Sequence, residues 1–350
     1  MRKWLKQGLC QREPNTFYVL GFRLSFRIHI QKTMILGSLP IGLGAQFIND
    51  RQCSSVMHNS AVLQENHVRL SRFKLSHSLG SGASGFVLSA TEKVSGRPVA
   101  IKCVRKDCVP LGSWMRDRQL GVVTREIFFL SRISHSAIID FIEHCEDEKF
   151  IYIIMGRLAE TCNSTNNTVA TPKSSRQAST CSDLFDFIGN TPNISESIIK
   201  IIFTQICEAV LYLHANNIAH NDLKDENIII NDHLQVKIVD FGSCGYIDDT
   251  KPEHSNYFCG TIQYASPEVI RRQPYKGMEL DIWSLGILLH VIAQGRAPFR
   301  TSDDILALNF VSPYNERSEH LNDLIRLILQ ADPCLRPSVE MIMEHEFLAF

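Results

Sequence analysis

A chain of 350 residues that is 44% hydrophobic can bury one large core or two ordinary ones. With 36 Lys+Arg against 37 Asp+Glu, bulk charge gives no basis for nucleic-acid binding. The 11 cysteines are scattered without a CxxC pair, which excludes a zinc ribbon or redox dithiol by spacing and suits reduced thiols in the cytoplasm or nucleus.

Residues 1–70 hold nine Lys/Arg against three Asp/Glu and carry no motif. Within them Phe22, Leu24, Phe26, Ile28 and Ile30 alternate with polar residues, the period of a half-buried strand. They are read as an extension of unknown structure. The apolar stretch 33–49 is broken by Gly37, Pro40, Gly42 and Gly44 and falls short of the ~20 residues that span a bilayer. No signal peptide is visible, so no membrane association is expected. Residues 71–158 read as strand-rich, with β-type runs at 73–79, 86–91, 98–104, 141–146 and 150–155 and one helical segment at about 121–133. Residues 159–181, rich in Ser, Thr and Asn, cannot bury enough surface to order themselves and are expected to form a flexible insert. From 182 to 350 helices dominate, for example 194–215 and 279–294. Strands first and helices after predict an α+β architecture in two lobes.

Gly80-Ser81-Gly82-Ala83-Ser84-Gly85-Phe86-Val87 fits G-x-G-x-x-G-x-V, in which glycines let a hairpin tip approach phosphates through its backbone. The same glycines serve dinucleotide folds, but there a helix follows, and here Phe86-Val87-Leu88 continues as a strand. Val99-Ala100-Ile101-Lys102 then supplies a lysine able to hold α- and β-phosphates; the alternative is a solvated strand lysine. Such a lysine needs a carboxylate to fix it. Glu126, in Thr124-Arg125-Glu126-Ile127, is the ion-pair candidate, set against a surface glutamate paired with Arg125.

The stretch His220-Asn221-Asp222-Leu223-Lys224-Asp225-Glu226-Asn227 and the later Asp240-Phe241-Gly242 carry the remaining chemistry. Asp222 can accept or orient a hydroxyl proton, and Lys224 can neutralise charge on a moving phosphoryl group. Asn227 and Asp240 offer the hard oxygens that suit Mg²⁺. Four separated pieces in this order point to phosphoryl transfer. Ala265-Ser266-Pro267-Glu268 resembles the A-P-E motif of protein kinases, and that resemblance implies a buried ion pair of Glu268 with Arg336, in Leu335-Arg336-Pro337, and an Asp281 that braces the backbone of the Asp222 loop.

Over about residues 73–350 these motifs resemble the eukaryotic-type protein kinase domain. The segments 107–114 (Asp-Cys-Val-Pro-Leu-Gly-Ser-Trp), 120–126 (Leu-Gly-Val-Val-Thr-Arg-Glu), Lys224-Asp225-Glu226-Asn227, Asp240-Phe241-Gly242-Ser243 and 257–262 (Tyr-Phe-Cys-Gly-Thr-Ile) resemble, more narrowly, the PAS-domain-regulated serine/threonine kinases. The resemblance implies a bilobal fold, with a small β-rich lobe bearing one main helix and a larger helical lobe. It implies ATP and Mg²⁺ as cofactors and Ser/Thr sites of proteins, often with upstream arginine, as substrates. It assigns nucleotide contacts to Gly80, Ser81, Gly82, Gly85, Val87, Ala100 and Lys102. Met155 would guard the back of the adenine pocket, Gly156, Arg157 and Leu158 would form the hinge, and Asp183 and Glu226 would meet the ATP ribose or a basic substrate residue.

The chain departs from the family at several points. No PAS sensor is recognisable in residues 1–70, and 159–181 is longer than the family's link. Gly156 replaces an acidic hinge residue, which should loosen the hinge without removing its backbone contacts. Asn221 replaces an arginine that in many kinases pairs with a phosphorylated activation segment, and asparagine cannot form a bidentate ion pair with phosphate. Phosphorylation at Ser243, Thr250, Ser255, Tyr257 or Thr261 is therefore not expected to be the main on-switch. Because Lys102, Glu126, Asp222, Asn227 and Asp240 are all present, an active Ser/Thr kinase is expected over its alternative, a weak or inactive pseudokinase scaffold. A calmodulin-regulated kinase would need a basic amphipathic helix after the domain, and none is expected. Ser179, after Arg176-Gln177-Ala178, is a candidate autophosphorylation site, and Cys259 a candidate redox-sensitive thiol.

Overall fold

The computed structural model describes residues 70–82, 84–158, 181–247, 261–311 and 316–349. The alternation at 22–30, the segment 159–180 with Ser179, and Thr250, Ser255, Tyr257 and Cys259 lie outside these residues.

The first lobe contains β1 (Phe73–Gly82), β2 (Gly85–Glu92), β3 (Pro98–Arg105), β4 (Trp114–Asp117), β5 (Gly121–Thr124), α1 (Arg125–Leu130), β6 (Phe141–Glu146) and β7 (Phe150–Gly156). Five of the strands form an antiparallel sheet in the order β1-β2-β3-β7-β6. Strand alternation sorts its residues by face. Leu88, Ile101, Cys103, Tyr152 and Ile154 bury a small core on one face. Val104, Ile151, Ile153 and Met155, on the other, join the main core that runs through α1 into the second lobe.

The helical segment expected at 121–133 is shorter than the sequence suggested. Residues 121–124 pair with β4 as a hairpin, and the helix occupies only Arg125–Leu130. The physical reason is a partner that local periodicity cannot see. Val122, Val123 and Thr124 are β-branched, and Trp114–Asp117 offers them an edge, closed where the Asp117 carboxylate accepts the N–H groups of Gln119 and Leu120.

The second lobe contains β8 (Ser182–Asp183), α2 (Leu184–Asn190), α3 (Glu196–Ala215), β9 (Ile218–Ala219), β10 (Ile228–Ile230), β11 (Val236–Ile238), β12 (Gly245–Tyr246), α4 (Pro267–Ile270), α5 (Gly277–Gln294), α6 (Ser302–Ala307), α7 (Glu319–Ile328) and α8 (Val339–Met343). Helix α3 starts where the Ser195 hydroxyl accepts the N–H of Ile198, and it buries Ile199, Ile202, Phe203, Ile206, Val210 and Leu213 at helical spacing. By length and composition alone α3 could cross a bilayer, yet that apolar face is packed into the core. Helix α5 is apolar on most of its circumference and buried on nearly every side, with Asp281, Ser284, His290 and Gln294 buried among its apolar residues. Gly286 allows the approach of α7: a Cβ there would lie 2.7 Å from side-chain atoms of Ile328 and Leu329. The expected Glu268–Arg336 pair is present, bidentate and buried, with N–O distances of 2.8 and 2.6 Å.

Candidate active site

Between the lobes, β3 and α1 bring Lys102 and Glu126 together. The ammonium of Lys102 donates to both carboxylate oxygens of Glu126 at 2.7 Å and to Asp240 Oδ1 at 3.2 Å. Arg125, the competing partner for Glu126, turns away and donates to the carbonyls of Gly112 and Cys244. Burial works against the charged lysine, but Asp240 and Glu126 outweigh it and hold its pKa above the ordinary value. Burial likewise opposes the Asp240 carboxylate, and Lys102 overrides it, leaving the Asp240 pKa below the ordinary range. Asp240 adopts φ 62°, a left-handed conformation that costs a non-glycine residue about 1 kcal/mol or more. Strain of that kind persists where surrounding bonds fix it.

The loop between β9 and β10 supplies the second group. Asp222 Oδ1 accepts the Thr261 N–H at 3.2 Å and its hydroxyl at 3.4 Å, while Asp222 Oδ2 accepts from Asn227 Nδ2 at 3.1 Å and lies 3.2 Å from Lys224 Nζ. Lys224 also donates to Thr261 Oγ1 at 2.8 Å. Burial pushes the Asp222 carboxyl above the ordinary aspartate value; Lys224 opposes the rise and Asp240 reinforces it. Asn227 Nδ2 also donates to the Asp222 carbonyl at 2.8 Å. Among the described residues no three His, Cys, Asp or Glu side chains could hold a metal alone. Asn227 and Asp240 still suit a Mg²⁺ that takes its remaining ligands from phosphates and water.

The loop is fixed from below. Asp281 on α5 accepts the N–H groups of His220 and Asn221, each at 2.8 Å, as the sequence suggested. His220 Nε2 is 3.3 Å from the Val239 carbonyl, and its ring packs edge-on to Phe241 at 5.0 Å. Asn221 has φ 64°, which asparagine tolerates better than most side chains. Its Nδ2 donates to the Ser243 carbonyl at 3.1 Å, and a Cβ on Gly277 would lie 2.8 Å from its Oδ1. Beyond Gly242, Tyr246 packs against Phe129 and Phe128 of α1, with ring centroids 5.1 and 6.1 Å apart.

The remaining sequence candidates lie on β1–β3, on β7 and its hinge, and on β8. Val87, Ala100, Lys102 and Met155 share one face of the sheet, because Val87 pairs with Lys102 and Ala100 with Met155. Gly80, Ser81 and Gly82 run to the tip of the β1–β2 hairpin, opposite Val87, Phe86 and Gly85. Gly85 has a packing reason of its own: a Cβ there would sit 1.9 Å from the Cys103 carbonyl oxygen. Gly156 ends β7 and leads to Arg157 and Leu158; Arg157 donates to the Ser89 hydroxyl at 3.0 Å. Asp183 reaches the loop less directly, since β8 pairs with β10 and its carboxylate caps α2 by accepting the Asp186 N–H. Burial raises Asp183 to about 6, and Asp186, Asp225 and Glu226 add to the rise. The sequence did not mark Thr261 as a partner of Asp222 and Lys224, nor Tyr246 as a partner of α1. The Gly-Thr pair at 260–261 was the available signal for the first, and nothing local signalled the second.

Residues 73–348 match the protein kinase domain family. The chain is similar to the mouse (Mus musculus) PAS domain-containing serine/threonine-protein kinase, with 35% identity over 265 residues, covering 76% of this chain and 18% of that protein. It is similar to the human (Homo sapiens) NUAK family SNF1-like kinase 1, 35% identical over 279 residues, covering 78% of this chain and 38% of that protein. A similar match is the serine/threonine-protein kinase PSK1 of Saccharomyces cerevisiae, 34% identical over 290 residues, covering 81% of this chain and 20% of that protein. The chain thus spans well under half the length of these relatives.

Proposed function

The chain belongs to the protein kinase family, close to the PAS-domain serine/threonine kinases, and we propose that it transfers the γ-phosphate of ATP to serine and threonine hydroxyls of protein substrates. The observation that carries this is the simultaneous closure of two networks, Lys102–Glu126–Asp240 and Asp222–Lys224–Thr261, across one cleft. Lys102, held between two carboxylates, is positioned to bind α- and β-phosphates, with the hairpin tip at Gly80–Gly82 above them. The adenine would lie against Val87, Ala100 and Met155 and bond to the backbone of residues 156–158. Asn227 and Asp240 would hold Mg²⁺, which neutralises charge on the phosphates. Asp222 orients the incoming hydroxyl and takes its proton, while Lys224 stabilises charge on the transferred group.

Two finer properties belong to the same proposal. Glu226 and Asp183 supply negative charge beside the substrate path, which favours a basic residue upstream of the acceptor. Activity does not require a phosphorylated activation segment. Asn221, Arg125 and Tyr246 already tie the segment after Gly242 to the Asp222 loop, to α1 and to the β4–β5 lead-in through neutral contacts and a guanidinium on carbonyls. The test is phosphate transfer from ATP·Mg²⁺ to an Arg-x-x-Ser peptide and to its Ala-x-x-Ser counterpart, with Asp222→Ala and Lys102→Met as controls. Transfer to the arginine peptide, lost in both controls, is expected. A protein that binds ATP and modifies neither peptide is a scaffold, and the proposal fails.

A further inference from the structure

Behind the hinge, the segment before β6 stands against the end of β7. A Cβ built on Gly156 would meet Asp140 Oδ2 at 3.0 Å, Asp140 Cβ at 3.1 Å and a guanidinium nitrogen of Arg97 at 3.5 Å. Gly156 is not among the glycines with positive φ, so space rather than backbone conformation explains it. The Asp140 side chain thus borders the place that a hinge Cβ would take. Asp140 also accepts the Gly156 N–H on its backbone carbonyl at 2.8 Å.

The segment carrying Asp140 is clipped to the larger lobe. The Ile238 N–H donates to the Ala137 carbonyl at 2.8 Å, and the Ile139 N–H to the Ile238 carbonyl at 3.0 Å. On β11, Lys237 donates to the Ile138 carbonyl at 2.9 Å and lies 3.4 Å from Asp140 Oδ2. Asp140 Oδ2 thus lies between Lys237 of the larger lobe and the last residue of β7.

We infer that Asp140 is the positioning residue of the hinge, its carboxylate taking from the neighbouring segment the place of the acidic side chain missing at Gly156. It rests on the kinase assignment only in that residues 156–158 are the backbone that holds adenine. Asp140 touches no substrate and acts through Gly156.

The experiment measures the affinity of ATP·Mg²⁺ by calorimetry, alongside kcat and KM for peptide phosphorylation. Asp140→Ala should weaken ATP binding about 3- to 5-fold, the range for a half-exposed ion pair worth up to about 1 kcal/mol, with kcat at saturating ATP unchanged. Asp140→Asn keeps the volume, loses the charge and should fall between wild type and Asp140→Ala. Gly156→Glu sets two carboxylates against each other and should weaken binding about 10-fold or more, as overpacking and like-charge contact predict. Asp140→Gly combined with Gly156→Glu returns one carboxylate to the site and should recover most of that loss. ATP affinity unchanged in both single Asp140 variants, or no recovery in the double variant, overturns the proposal. Binding is read without turnover, so a protein that binds ATP normally but transfers no phosphate counts against the kinase assignment and not against the hinge.

Discussion

Asp222 is held by opposing demands: burial favours its neutral form, while Lys224 and the amide of Asn227 favour the carboxylate, the form that the proposed base needs. Asp222→Asn keeps the shape and removes the base, so kcat should fall by about 10²–10⁴, the usual worth of general base catalysis, with ATP affinity retained in direct binding. Asp183 gives a pH signature. Its carboxyl, raised to about 6 by burial, is neutral below that pH and charged above it. KM for ATP or for a basic peptide should therefore improve as pH rises through 6, and Asp183→Asn should flatten that limb of the profile. That Lys102, Glu126 and Asp240 meet, and Asp222 and Asn227 likewise, was legible in the sequence because each lies in a short motif. Thr261 was not, because its partner, Asp222 Oδ1, lies far away in the chain.

At the scale of elements, α1 is short and depends on its neighbours. It is held by Arg125 to Cys244 and Gly112, by Phe128 and Phe129 to Tyr246, and by the β4–β5 hairpin. The period of its apolar residues suggested a longer helix, and the pairing of Val122–Thr124 with Trp114–Arg116 overrode that preference. The pairing of α4 with the chain after α7 was legible as a motif, and the structure adds its surroundings. Arg336 also donates to the carbonyls of Glu279 and Gln330 and lies 5.1 Å from the Trp283 ring. Removing one partner strands the other charge in a dry interior. Glu268→Ala should cost about 3–5 kcal/mol of stability, read as a lowered midpoint in urea unfolding, whereas surface pairs such as Arg326–Glu319 should cost under about 1 kcal/mol.

At the scale of the molecule, the order of strands before helices was enough to place two lobes, since a sheet with one apolar face must bury it against a second layer. The sequence did not show how the lobes are joined. Lys102–Asp240, Arg125–Cys244 and the α1–Tyr246 rings cross between them through side chains. Glu126 on Lys102 and Asn221 bonded to the Ser243 carbonyl are the contacts behind the proposal that activity does not need an activation-segment phosphate. The most direct measurement is therefore phosphate transfer from ATP·Mg²⁺ to an Arg-x-x-Ser peptide after exhaustive phosphatase treatment of the protein, with removal of the phosphatase confirmed and Asp222→Asn run beside it. Undiminished initial turnover that vanishes in Asp222→Asn is the expected result; a dephosphorylated protein that binds ATP yet transfers nothing until phosphate is restored would contradict it.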